Sequence, residues 1–178
     1  MIERVAIVGM GALGLLYGTH IADRQGMEHI CYVMDEKRAE KYGGMTFYKN
    51  EIPYGLPVRD ARDAGEADLV IVAVKYNGLR SALDEMENCV GEHTVILSVM
   101  NGISSEEIIG ERYGKEKLIY AVAQGMDAMK FGNRLTFTKM GELRIGVKED
   151  CQRENLRRVR EYFDRIGMPY TQDEDIMH

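Results

Sequence analysis

Short apolar runs alternate with amphipathic stretches along the first two thirds of the chain. The run Ile2–Val8 ends at Gly9, and helical periodicity follows from Ala12 to Gln25. This order is typical of a buried strand that leads through a tight turn into a helix. The same pattern predicts strands at His29–Met34, Asp68–Val74 and Thr94–Val99, and helices at Glu36–Tyr42, at Leu79–Asn88 and from a Ser104/Glu107 capping box onward.

The last third of the chain has a different pattern of predicted elements. Strand candidates Leu118–Ala123, Arg134–Thr138 and Glu142–Val147 follow one another without helices, so this part of the sheet is expected to be antiparallel or mixed. Met45–Pro57 predicts a small hairpin or meandering loop attached to the sheet, and Gln152–Ile166 predicts a helix packed back on it. The predicted fold class is α/β, a Rossmann-type domain with a mostly parallel sheet and extra strands in its C-terminal half.

Composition and charge narrow the choice of partners. The 178 residues, 45% of them apolar, suit one soluble globular domain, and the net charge of −6 with no basic stripe argues against a nucleic-acid partner. No stretch is long and apolar enough to span a membrane, and the N-terminus has no signal-peptide profile, so we expect a cytoplasmic protein. The three scattered cysteines and four isolated histidines predict neither a disulfide framework nor a metal site.

The glycine pattern G-x-G-x-x-G is the first candidate for chemistry. Gly9, Gly11 and Gly14 directly follow the first predicted strand and open the first predicted helix. In dinucleotide-binding proteins the first glycine allows the turn, the second admits the pyrophosphate to the helix N-terminus, and the third lets helix and strand pack closely. This context favours a cofactor site over a purely structural turn. Its candidate residues are Gly9, Met10, Gly11, Ala12, Leu13 and Gly14.

Asp35, at the end of the second predicted strand, has two interpretations. It lies about 20 residues beyond Gly14, where an acidic side chain accepts hydrogen bonds from the ribose hydroxyls of NAD. Alternatively, it caps the helix that starts at Glu36, and Lys37 and Arg38 supply positive charge to the 2′-phosphate of NADP. The residues alone leave both interpretations open.

Two polar residues follow neighbouring buried strands. Lys75 comes directly after the run DLVIVAV, and Asn101 closes SVMNG. A lysine in this position is often a solvated loop residue, and Asn-Gly is a common turn. Because the carboxyl ends of parallel strands form the ligand crevice of open α/β sheets, both side chains are nevertheless expected to converge on one crevice.

Four segments together resemble the N-terminal domain of the ketopantoate reductases (2-dehydropantoate 2-reductases). They are VGMGALGLLYG, AVKYNG, VMNGISSEE and GELRIG, and they occur in this order over essentially the whole chain. The glycine motif is shared with many dehydrogenases. The narrower signature is a strand-end Val-Lys combined with a strand-end Asn-Gly and two glutamates, Glu106 and Glu107, shortly after it.

The resemblance implies a function and residue roles. It implies an NADPH-dependent 2-oxo acid reductase that converts ketopantoate to pantoate, on the route to pantothenate and coenzyme A. By position, Gly9–Gly14 would hold the pyrophosphate, Lys75 would line the nicotinamide side, and Asn101 would contact cofactor and substrate. Lys75 and Asn101 are therefore the catalytic candidates, and Asp35 and Arg38 join the cofactor-binding set. A homodimer is a candidate assembly.

The chain departs from the family pattern in two places. Family members commonly carry an arginine near the end of the second strand for the 2′-phosphate, whereas Asp35 stands at about that place here, which keeps NAD(H) open beside NADP(H). The family's proton-donating lysine lies on a C-terminal helical domain, beyond a segment that resembles DEDIMH. We therefore expect residues 1–170 to form the dinucleotide-binding domain, 171–178 to begin a helical substrate domain, and the chain alone to be catalytically incomplete.

Two alternatives to this function stay open. One is a non-catalytic module that senses NAD(P)H or pairs with a separate chain. The other is a reductase of a different 2-oxo acid, because most substrate contacts would lie outside this sequence.

Overall fold

Residues 1–100 and 104–173 are described by a computed structural model of the chain. The strands are β1 (Val5–Val8), β2 (Ile30–Met34), β3 (Phe47–Lys49), β4 (Ile52–Tyr54), β5 (Val58–Asp60), β6 (Leu69–Val72), β7 (Val95–Ser98), β8 (Leu118–Gln124), β9 (Met129–Phe131), β10 (Arg134–Thr136), β11 (Glu142–Gly146) and β12 (Tyr170–Gln172). The α-helices are α1 (Ala12–Gln25), α2 (Glu36–Tyr42), α3 (Leu79–Glu85), α4 (Ser104–Tyr113) and α5 (Arg153–Ile166).

The main sheet has eight strands in the order β12-β11-β8-β7-β6-β1-β2-β5. Pairing is parallel from β8 across to β5, while β11 is antiparallel to β8 and β12 is parallel to β11. The predicted Rossmann-type α/β fold, with a mixed later part, is therefore confirmed. From β1 the chain continues to β2 and β5 on one side of the sheet and to β6 and β7 on the other. The strand order therefore reverses at β1, and a crevice opens at the carboxyl ends of β1, β2 and β6.

Both faces of this sheet are covered, which explains the nearly continuous apolar runs of the sequence. In β1, Val5 and Ile7 join the core on the side of α1 and α5, whereas Ala6 and Val8 join the core on the side of α3 and α4. The chain thus forms three layers. Helix α5 packs back on the sheet as predicted, with one buried face formed by Leu156, Val159, Tyr162, Phe163 and Ile166.

A second, four-stranded sheet has the order β4-β3-β10-β9. The hairpin predicted within Met45–Pro57 is present as β3 and β4, but it belongs to this sheet. The prediction that Arg134–Thr138 forms part of the main sheet is wrong, because β10 pairs with β3 and β9. In β10, Leu135 is buried while Arg134 and Thr136 are exposed, and such alternation suits a sheet with one covered face.

Two predicted boundaries have no full test in the structure. Ser104 is already the first residue of α4, and the residue before it lies outside the described range, so the Ser104/Glu107 capping box stays a prediction. Strand β12 crosses the expected domain boundary after residue 170, and the division at that point also stays a prediction. Among the described residues, no helix is long and apolar enough to cross a membrane.

Candidate functional site

The turn between β1 and α1 brings backbone segments into close contact. Gly9 has a φ of +115°, and a Cβ atom on it would lie 2.3 Å from the carbonyl oxygen of Ala73, just past β6. A Cβ atom on Gly14 would lie 2.1 Å from the carbonyl oxygen of Gly9. Neither position accepts a side chain unless the backbone moves, so both glycines are required by the turn itself.

Gly11 has a different environment. It is the N-cap residue of α1, and a Cβ atom on it would meet no heavy atom within 4 Å. No side chain hydrogen-bonds to the helix from this cap position, and the N-terminal end of a helix carries partial positive charge. Open space in front of a helix N-terminus is the arrangement that a diphosphate group requires.

A crevice of about 480 Å³ opens where β1, β2 and β6 end. It is lined by Gly9, Met10, Gly11, Asp35, Arg38, Ala73, Val74, Lys75, Gly78, Ser81 and Glu85. The structure therefore brings together most of the residues that the sequence singled out. Ala12, Leu13 and Gly14 lie in the first turn of α1, and they do not line the crevice.

Asp35 caps α2 and also binds Arg38. One carboxylate oxygen accepts a hydrogen bond from the backbone N–H of Arg38 at 2.9 Å, and the other accepts one from Arg38 Nε at 2.7 Å. The hydrogen bond from the Arg38 backbone is the main reason that the pKa of Asp35 lies below its usual value. The capping interpretation of Asp35 is confirmed, and its contact with a ribose stays a prediction.

Glu85, the last residue of α3, lines the crevice although no sequence motif indicates it. Its carboxylate forms an ion pair with a terminal guanidinium nitrogen of Arg38, in addition to the contact of Arg38 Nε with Asp35, and only 10% of its side chain is exposed. Burial raises the pKa of Glu85. The two partners are 47 residues apart, so no local motif connects them. The available signal was the position of Glu85 among the inward-facing residues Ala82 and Met86.

Lys75 follows β6 and precedes α3. Its backbone carbonyl accepts a hydrogen bond from the N–H of Gly78 at 2.8 Å, which closes a short turn. The side chain lines the crevice and has no carboxylate within 4 Å among the described residues. Asn101, the second catalytic candidate, lies outside the described residues.

A chain of buried polar groups ties the end of β7 to the first turn of α4. The hydroxyl oxygens of Ser98 and Ser105 are 3.2 Å apart, and Ser105 Oγ donates to Glu106 Oε2 at 3.3 Å. The backbone N–H of Met100 donates to Ser98 Oγ at 3.4 Å. Burial raises the pKa of Glu106 to about 7. The first glutamate of the family signature is thus part of a buried polar network.

A second cavity of about 340 Å³ lies at the opposite edge, where the parallel strands begin. Arg4, Cys31 and Arg59 are among its lining residues, and none of the candidate site residues lines it. The described part of the chain contains no cluster of three or more His, Cys, Asp or Glu side chains that could hold a metal ion. Candidate site residues therefore line the first crevice and not this second cavity.

Comparison with known proteins places these features in a family context. Residues 5–150 match a family model described as "Ketopantoate reductase PanE/ApbA". A 2-dehydropantoate 2-reductase of Aquifex aeolicus is 27% identical over 197 residues, covering 99% of this chain and 57% of the relative. The 2-dehydropantoate 2-reductase of Streptococcus pyogenes serotype M3 is 23% identical and is also covered over 57% of its length. The chain thus spans little more than half the length of these relatives.

Solved structures share the fold at low sequence identity. A structure described as the putative 2-dehydropantoate 2-reductase from Enterococcus faecalis has a TM-score of 0.81 and 18% identity, with 98% of this chain and 58% of that chain covered. A D-mandelate dehydrogenase in a ternary structure with NADH and anilino(oxo)acetate has the same TM-score and coverage at 17% identity. These likenesses show a shared fold over the part of each structure that the chain covers.

Proposed function

Since the chain belongs to the ketopantoate reductase family, we propose that it binds a nicotinamide dinucleotide and forms the cofactor-binding domain of a 2-dehydropantoate reductase. The observation that carries this proposal is the glycine turn, with Gly11 open beside the helix N-terminus at the mouth of the crevice. The reaction and its substrate are proposed from the relatives, of which the chain spans 57%.

The crevice residues fit a dinucleotide. In this proposal the backbone N–H groups in the first turn of α1 bind the pyrophosphate, and Gly11 leaves the room it needs. Ala73 and Val74 form the wall on the side of β6. The bound cofactor supplies the hydride that reduces the 2-oxo group.

Lys75 and Asn101 are the proposed catalytic residues on this domain. The Lys75 ammonium has no neutralising carboxylate within 4 Å among the described crevice residues, so its charge is free to stabilise negative charge on the carbonyl oxygen of the substrate. Asn101 is proposed, by family position, to hydrogen-bond cofactor and substrate. The relatives extend well beyond the matched part, and we propose that the proton donor and the second wall of the cleft belong to that further part.

The chemical class of the cofactor is supported more firmly than its exact identity. The D-mandelate dehydrogenase neighbour holds NADH, which supports a nicotinamide cofactor here. Family resemblance favours NADP(H), and Asp35 favours NAD(H) because a carboxylate binds ribose hydroxyls and repels a phosphate. A homodimer and a cytoplasmic location also remain part of the proposal.

Substitution of Gly11 tests cofactor binding. Gly11→Val fills the space in front of α1, so calorimetry should show at least a tenfold loss of affinity for both NADH and NADPH, about 1.4 kcal/mol or more. Gly55→Val is the matched control, because a Cβ atom on Gly55 also meets no heavy atom within 4 Å, and Gly55 does not line the crevice. Equal affinity in the wild type and Gly11→Val would remove the glycine turn from the proposal.

A reaction assay tests whether this chain binds the cofactor without catalysing the reduction by itself. The chain is expected to bind the cofactor yet to oxidise NADH or NADPH with 2-dehydropantoate only at a negligible rate, because positioned acid catalysis contributes roughly 10²- to 10⁴-fold. Ready turnover that is lost in Lys75→Ala would show that this domain carries its own acid.

A further inference from the structure

We propose that Glu85 determines cofactor choice and that the crevice favours NADH over NADPH. Glu85 acts by holding the Arg38 guanidinium, together with Asp35, at the end of β2 where the adenosine ribose would lie. This inference rests on the proposed function, because it assumes that the crevice binds a dinucleotide.

The guanidinium of Arg38 is bound by two carboxylates. Its Nε donates to Asp35 at 2.7 Å, and a terminal nitrogen binds Glu85 on α3. A 2′-phosphate is usually recognised by an arginine fork that offers parallel N–H groups. The fork that Arg38 Nε forms with this terminal nitrogen is already taken up by the two carboxylates, so Arg38 would have to leave at least one of them to offer that fork to a phosphate.

The charges at this end of the crevice also disfavour a phosphate. Asp35 and Glu85 are two carboxylates, and Arg38 is the one cation among the crevice-lining residues of β2, α2 and the turn between them. Lys37 does not line the crevice, and Lys75 follows a different strand. A phosphate monoester carries about −1.5 to −2 charges near neutral pH, so it would enter a cluster that is already net negative.

Of the two carboxylates, Glu85 should restrain the Arg38 guanidinium more strongly, because Glu85 is more buried. The Glu85 side chain is 10% exposed, whereas the Asp35 side chain is 52% exposed. Solvent screens a buried charge less than an exposed one. Moreover, Asp35 would remain bound to the backbone N–H of Arg38 even if the guanidinium moved. Release of Arg38 toward a phosphate is therefore controlled mainly by Glu85.

Glu85→Gln is the direct test. The amide keeps the size of the side chain but removes the charge that holds Arg38. Calorimetric titration of the chain with NADPH and with NADH should show that wild type binds NADH more tightly. In Glu85→Gln the NADPH/NADH affinity ratio should rise by about tenfold, the scale expected for removing one charge near a phosphate.

Asp84→Asn is the matched control. Asp84 is the neighbouring residue on α3, and it pairs with Arg112 at 2.6 Å away from the crevice. The two substitutions change the net charge equally and each breaks one ion pair, but Asp84→Asn should leave the ratio unchanged. The double variant Glu85→Gln/Arg38→Met should lose the gain in NADPH affinity, since the gain requires a freed guanidinium.

The outcomes separate this inference from the proposed function. If the chain binds neither dinucleotide, the proposed function fails and this inference fails with it. If both bind, the inference alone is overturned by a wild type that prefers NADPH, by a ratio that stays within about twofold in Glu85→Gln, or by an equal shift in Asp84→Asn.

Discussion

The two ends of the crevice are built in different ways. At the glycine turn the backbone defines the shape, because Gly9 and Gly14 sit where a Cβ atom would lie within 2.3 Å of a carbonyl oxygen. At the end of β2, side chains define it, through the ion pairs of Arg38 with Asp35 and Glu85. Backbone N–H groups bind any diphosphate, whereas charged side chains distinguish a hydroxyl from a phosphate. In the proposed function, the turn therefore supplies affinity for the dinucleotide, and the charged cluster selects between NADH and NADPH.

The largest effect is expected within the glycine turn. Gly14→Ala forces a Cβ atom against the backbone of Gly9, so it should lower the free energy of unfolding by roughly 3 kcal/mol or more and abolish dinucleotide binding. Gly11→Ala places its Cβ atom in open space and should cost under about 1 kcal/mol. Urea unfolding of both variants checks the contrast. Equal losses would show that the turn does not depend on close backbone contact.

Glu106 is a buried carboxyl partnered by a serine hydroxyl, whereas the buried carboxyl of Glu85 is partnered by an arginine. Its folded-state pKa of about 7 lies above its usual value of 4.5. The folded state therefore binds more protons than the unfolded state between these values, and stability falls as pH rises through this window. Glu106→Gln should remove this loss and raise stability near pH 8 by at most about 3 kcal/mol.

The test for Glu106 is urea unfolding near pH 4 and near pH 8. The variant and the wild type should differ little at the lower pH, where the carboxyl is protonated in the folded state and largely protonated in the unfolded state. The exposed neighbour Glu107 supplies the control, and Glu107→Gln should change stability by less than about 0.5 kcal/mol at either pH. A pH dependence that is identical in wild type and Glu106→Gln would contradict the assignment.

The carboxylate of Asp35 has two roles, as the cap of α2 and as a partner of the Arg38 guanidinium, and two substitutions separate them. Asp35→Ala loses the cap of α2 and should cost about 1 kcal/mol, whereas Asp35→Asn keeps a capping oxygen and should cost only a few tenths. Both variants should raise the NADPH/NADH affinity ratio, though less than Glu85→Gln does. Unfolding and calorimetry on the pair measure both roles. A ratio that moves only in Asp35→Ala would trace the effect to the cap.

The sequence predicts the framework better than it predicts the charged cluster. Parallel strands buried on both faces read as continuous apolar runs, so β1, β2, β6 and β7 could be placed in order. The alternating pattern predicts the strand that forms at Arg134–Thr136 but not the sheet it joins, because local alternation does not determine which strands pair. Strand β5, Val58–Asp60, is short and carries two polar residues, so the hydrophobic pattern does not predict it.

The same limit applies within the candidate site. The tight turn at Gly9 and Gly14 follows from a local motif, and the close backbone contacts at both positions confirm that the turn needs glycine there. Their part in cofactor binding stays a prediction. Glu85 could not be assigned, because its partner Arg38 is distant along the chain and their meeting depends on how α3 packs beside β2. Local sequence spacing predicts backbone turns, whereas ion pairs between distant elements can be identified only from the tertiary structure.

Substitution of Lys75 should have the smallest effect on the free energy of unfolding. Its ammonium forms no ion pair with the described carboxylates, so Lys75→Ala should change stability by less than about 0.5 kcal/mol. Affinity for NADH should fall only severalfold, because an exposed charge is screened by solvent. Lys139→Ala, an exposed lysine outside the crevice, is the control for both measurements. A large loss of stability in Lys75→Ala would assign the residue to the fold.

The most direct test of where the cofactor binds is an NMR titration of the ¹⁵N-labelled chain with NADH. If the dinucleotide binds at the glycine turn, the backbone amides of Gly11, Ala12 and Leu13 should shift most, since they lie at the start of α1 in front of the proposed pyrophosphate. Shifts concentrated instead around Arg4, Cys31 and Arg59, in the cavity at the opposite edge of the sheet, would contradict binding at the glycine turn.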